Sequence, residues 1–180
     1  MKKETKKQLL IGAALVLELL FLLLYLNGRI DRLLDSDMSS EMILGQLLAR
    51  NNGILSDQWY YSTELRVLNT QLIYALFFRL SSNWHFVRMA STLVLWCVLI
   101  ASYGVLCRVM DCKKSFGVTA LLLAAPVSES YFRFVLAGVY YVPHLAIAFA
   151  ALALNEAYFK AKPDRKKFWL VVSVLLALVA

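Results

Sequence analysis

The chain has 180 residues, 61% of them hydrophobic and only 17% charged, which is far more apolar than an ordinary soluble domain. Its net charge of +7 does not imply a nucleic-acid partner, because the basic residues sit in short clusters beside apolar runs, as topology signals do. Cys97 and Cys107 fall inside one apolar run and Cys112 just after it, without a CxxC spacing, so neither a disulfide framework nor a zinc site is supported.

MKKETKK precedes an apolar run over 8–27. That run is long enough to span and has no small-x-small cleavage site before Gly28, so it is expected to be an uncleaved first membrane helix. Glu18 sits near its middle, where an ionisable group marks either a site or a paired structural glutamate. The stretch 28–85 contains no lysine and is expected to form one outer loop. Two amphipathic helices are predicted in it, both lying at the membrane interface. The first covers 38–52, with Ile43, Leu44, Leu47 and Leu48 as its apolar stripe and Gly53 as its stop. The second covers 65–80, where Leu65, Leu68, Leu72, Ile73, Leu76, Phe77 and Leu80 recur at helical spacing.

Further spans are predicted over 86–107, 115–127 and 142–159, with a second outer loop over 128–141. Pro126 marks the outer end of the third span or a kink in it. Tyr131, Phe132, Phe134, Tyr140 and Tyr141 fit an interfacial aromatic belt. A fifth apolar stretch over 168–180 is too short to cross, so the sequence reads as the N-terminal part of a longer protein. All ten lysines fall in three places, 2–7, 113–114 and 160–167. With these on the cytoplasmic side the N-terminus is cytoplasmic and loop 28–85 extracytoplasmic, in a multi-pass protein of the plasma membrane. The fold class is therefore all-α, a polytopic transmembrane bundle in which residues 1–180 belong to one transmembrane domain.

Chemistry concentrates in DSDMSSEMILGQLLARNNGILSDQWYY. Asp35 and Asp37 lie two residues apart, with Glu41 four residues on. Such a group can hold a divalent cation, or one member can act as a general base. A structural reading competes: Asp37 would cap the helix that follows, and Glu41 would meet its dipole. Arg66 and Arg133 have the fork geometry that pairs with phosphate, against local pairs with Glu64 and Glu129. Trp59, Tyr60 and Tyr61 could stack on a sugar ring or simply anchor at the interface. His85 and His144 lack a third ligand, and no nucleotide-binding, zinc-protease or serine-hydrolase motif occurs.

An acidic Asp-x-Asp directly after an N-terminal span, followed by an amphipathic helix running to a glycine, resembles the N-terminal portion of the GT-C superfamily of integral membrane glycosyltransferases. The resemblance implies a GT-C-like bundle that takes a sugar from a polyprenyl-phosphate or polyprenyl-diphosphate donor. The sugar passes, usually with inversion, to a glycan, lipid or protein acceptor on the outer face of the bilayer. It implies Asp37 as catalytic base and Asp35 as its partner, the two forming a site for Mg2+ or Mn2+ if a metal takes part. Glu41, Glu64, Arg66, Glu129 and Arg133 are the matching substrate-binding residues. Many members have the two acids adjacent, whereas here Met38 follows Asp37. Two readings from other classes compete: a transporter or flippase with Glu18 and Arg88 on a polar path, for which no internal repeat is found, and a non-catalytic scaffold in which Asp35 and Asp37 are only caps.

Overall fold

The computed structural model describes residues 3–61 and 67–179, so the predicted site residues Glu64 and Arg66 lie outside the described residues. Every regular element among the described residues is helical. The first helix, α1 (Lys3–Asn27), leads through a 3-10 turn (Ile30–Leu33) into α2 (Ser36–Asn51). After these come α3 (Thr70–Phe78), α4 (Trp84–Val109) and α5 (Lys113–Ala124). A short α6 (Glu129–Tyr131) continues as a π-helical turn (Phe132–Ala137), and α7 (Val142–Lys160) and α8 (Pro163–Val179) complete the chain.

Three stretches are each long and apolar enough to cross a membrane: Lys6–Asn27, Trp84–Val109 and Val142–Lys160. They match the predicted first, second and fourth spans. On α1, Leu9, Leu10, Leu17, Phe21 and Leu24 are between 59% and 71% exposed, a continuous apolar surface that water does not tolerate but lipid does. The predicted third span is shifted towards the N-terminus and starts at Lys113. It ends at Ala124, and Lys113–Ala124 meets Glu129–Ala137 at 89° across a break that contains Pro126. Proline lacks the amide hydrogen a continuous helix requires, so the chain turns there.

The stretch predicted as the second outer loop is helical over most of its length. Residues 129–137 are helical and fold back into the bundle, because Val135, Leu136 and Ala137 are apolar and take up buried positions. The Gly138 amide closes the wide turn on the Arg133 carbonyl oxygen at 2.8 Å. Leu136 lies in the main core with Leu22, Leu26 and Ile30 from the α1 end and Leu95, Trp96 and Leu99 from α4. Trp96 donates its indole N–H to the Leu136 carbonyl at 3.0 Å, which satisfies both groups in a buried place.

Helices occur at both places predicted for the outer stretch, with different ends. α3 is shorter than predicted. It buries Thr70, Gln71, Tyr74 and Ala75, while Leu76 and Leu80 point outwards. α2 buries Met38, Met42, Leu44, Gly45 and Leu48, leaving Ile43 exposed. Its stop is Asn52 in the left-handed conformation (φ 51°), with Gly53 following at ordinary φ. The seam between the two is close-packed, since a Cβ on Gly45 would stand 2.6 Å from Tyr74 Cβ and 3.0 Å from the Gln71 carbonyl oxygen. Gly45→Ala is therefore expected to force the helices apart at a cost of about 1–3 kcal/mol, read as a lower unfolding midpoint in detergent. Gly12→Ala, with nothing within 4 Å, is the control. Equal midpoints for the two variants would show that the seam is looser than described.

Candidate functional site

The acidic segment is held by α4. Beyond Asn27 the chain turns, and Arg29 folds back over the Tyr25 ring at 4.2 Å. Asp31, in the 3-10 turn, meets His85 Nδ1 at 2.8 Å, while His85 Nε2 lies 3.2 Å from Asn27 Oδ1. One turn further along α4, Arg88 enters the core at 1% exposure. Its Nη1 donates to the Ile30 carbonyl, and its Nη2 to the Leu33 carbonyl at 3.4 Å and the Met38 sulfur at 2.9 Å. A buried guanidinium must find acceptors, and here they come from the turn that leads into Asp35. Arg88 thus fastens the acidic segment to the bundle, and its guanidinium is committed to that corner.

Asp35 follows Leu34, whose backbone is extended, and forms the N-cap of α2: its Oδ1 accepts the Met38 amide hydrogen at 2.9 Å. The expectation that Asp37 is the cap is corrected. Asp37 lies in the first turn, exposed, and makes no hydrogen bond among the described residues. Glu41 is turned to the α2–α3 seam. Its carboxylate accepts from Thr70 Oγ1 and from Asn69 Nδ2, the latter at 3.4 Å, which ties α2 to the start of α3.

Asp35 lines an open hollow of about 310 Å³ with Arg32, Leu33, Leu34, Glu129, Phe132 and Arg133. Three predicted site residues, Asp35, Glu129 and Arg133, are thereby brought together from positions almost a hundred residues apart. Arg133 Nη1 lies 3.9 Å from Glu129 Oε1, and both side chains are mostly exposed. A pair this long and this wet holds neither partner firmly. Tyr140, half-buried nearby, has its hydroxyl pushed up to about 12 by burial, then by Asp35, with Tyr141 and Asp37 adding to it. It therefore keeps its proton at neutral pH and can donate a hydrogen bond.

Two of these residues were not singled out from the sequence as site residues. Arg32 stands one helical turn before Asp35, a spacing that could have flagged it. Tyr140 was read as part of an interfacial belt, and nothing local to it points to the aspartates. Glu18 lies half-buried in α1. Among the described residues no three His, Cys, Asp or Glu side chains converge, and two guanidinium groups line the hollow. No family model, curated protein or solved structure matches the chain.

Proposed function

We propose that this chain is part of a membrane-embedded glycosyltransferase of the GT-C kind, with its active site at the hollow beside α2. One observation carries the reading: Arg32, Asp35 and Arg133 converge in one open hollow beside the end of an apolar helix, two residues along the chain from Asp37. A lipid-linked sugar phosphate presents an anion where its apolar chain enters the bilayer. Two guanidinium groups beside the end of a membrane-length helix match that chemistry.

In this reading Asp37 is the base. It makes no hydrogen bond among the described residues, whereas Asp35 spends one oxygen on the helix end. Asp37 takes the proton of the acceptor hydroxyl, whose oxygen bonds to the anomeric carbon from the face opposite the phosphate. The bond from that carbon to the phosphate oxygen breaks, and the departing phosphate carries its electron pair to Arg32 and Arg133. The acceptor is a glycan, lipid or protein on the outer side of the plasma membrane. The N-terminus is cytoplasmic, and α2 and α3 lie at the outer interface.

The test uses the full-length protein in detergent with a panel of radiolabelled polyprenyl-phosphate sugars. Label reaching an acceptor or water supports the reading, and a protein that neither binds nor turns over any donor sinks it. Topology is checked separately in a cysteine-free background. A cysteine at exposed Asp57 is expected to react with an impermeant reagent from outside, and one at exposed Lys162 only after the membrane is opened.

A further inference from the structure

The opposite end of the bundle carries a second feature, independent of the proposed donor site. Two hollows on the face shared by α1, α4 and α5, of about 650 and 360 Å³, run into one another through Leu15, Lys113 and Phe116. The larger is an apolar groove along α1 and α4, walled by Leu19, Cys97, Ile100 and Val105. Its floor is fixed by small residues. Gly104 lets the Phe116 ring approach α4, and a Cβ on Gly117 would stand 2.6 Å from Ile11 Cγ2.

One end of this groove is basic. Arg108 and Lys113 line the larger hollow, and Lys7, Lys113 and Lys114 the smaller. Nearby Lys160 is already neutralised, by Asp111 at 2.9 Å and Glu156 at 3.3 Å. By contrast Lys7, Arg108, Lys113 and Lys114 make no ion pair among the described residues. Moreover, Lys113 and Lys114 occupy the first turn of α5, which has no acid there and no side-chain cap. Cations at a helix N-terminus oppose its dipole, and the free amide hydrogens favour an anion. An apolar trough that ends at an uncapped helix start and four cations, none in an ion pair and only Lys113 within the field of an acid, Asp111, is complementary to one kind of molecule, an amphiphile with an anionic head.

We propose that this groove binds an anionic membrane phospholipid, with the headgroup phosphate at Arg108, Lys113 and Lys7 and an acyl chain lying along Leu15, Leu19 and Ile100. The cations supply selectivity for a net negative head over a zwitterionic one, and the trough supplies contact for the chain.

The test takes full-length protein reconstituted in equal parts phosphatidylglycerol and phosphatidylcholine, with retained lipid counted by native mass spectrometry. Retention of phosphatidylglycerol over phosphatidylcholine by about tenfold is expected, and the doubly substituted Arg108→Gln, Lys113→Gln protein should lose that preference. Both residues are exposed, so the variant should fold, and its unfolding midpoint checks that. A second measurement needs no charge substitution. A bimane on exposed Cys97, with Cys107 and Cys112 changed to serine, should be quenched more by doxyl-labelled phosphatidylglycerol than by the phosphatidylcholine analogue. Equal retention and equal quenching would overturn the proposal. So would a variant that keeps the preference, or a groove that retains neither lipid because other protein fills it.

Discussion

Arg88→Ala is expected to be the most destabilising single change in the described chain, at about 3–5 kcal/mol. The buried guanidinium supplies hydrogen-bond donors to the Ile30 and Leu33 carbonyls and packs on the Met38 sulfur. Removing it orphans the buried Ile30 carbonyl, takes the donor from the part-buried Leu33 carbonyl, and leaves a cavity beside Ile30, which is itself 0% exposed. Arg88→Met separates the two contributions, because it restores volume but not hydrogen bonds. It should recover part of the stability while the 3-10 turn and the start of α2 stay loose. Amide hydrogen exchange over 28–38 would then be fast in the methionine variant although its unfolding midpoint lies above that of the alanine variant. Arg88→Lys should fall between, keeping one donor and losing the fork. An alanine variant with wild-type midpoint and wild-type exchange would show that something else holds the corner.

The membrane-length helices were legible because nothing but length and apolarity decides them: 8–27, 86–107 and 142–159 lie within α1, α4 and α7. The helices between were legible as apolar stripes at helical spacing, but a stripe does not say which of its residues meets protein and which faces outwards. In this bundle Leu76 and Ile43 face outwards, while Gly45, Thr70 and Gln71 fill the α2–α3 seam. That is the arrangement expected where lipid is as apolar as the side chains and small or polar residues provide the contact. The cap was misplaced by one Asx position. Both aspartates are good caps in isolation, and the extended backbone at Leu34 selects Asp35. The hollow was half legible. Asp35, Glu129 and Arg133 were marked by residue type, but their meeting depends on the bend after Ala124.

The two aspartates differ in a way that substitution can separate. Asp37→Asn is expected to lower sugar transfer by about 10²–10⁴-fold, the usual range for a lost general base, with donor binding and unfolding midpoint unchanged. No described contact depends on the Asp37 carboxylate, so the fold should be indifferent to it. Asp35→Asn removes the negative charge from the hollow but keeps a side-chain oxygen for the Met38 amide, and asparagine caps helices as well as aspartate does. Its midpoint should match wild type, and its transfer should fall by less than that of the Asp37 variant. Asp35→Ala loses the cap as well, at about 1 kcal/mol, so any further fall in activity beyond Asp35→Asn measures how far the helix start must be held still. Arg133→Gln should weaken donor binding and also slow transfer, because the phosphate it meets gains charge as the bond to carbon breaks. If Asp35→Asn rather than Asp37→Asn abolishes transfer, the base is the residue inside the hollow and the cap is its orienting bond. If both asparagine variants transfer sugar as wild type does, the pair serves only the helix end, and catalysis must lie with residues other than these acids.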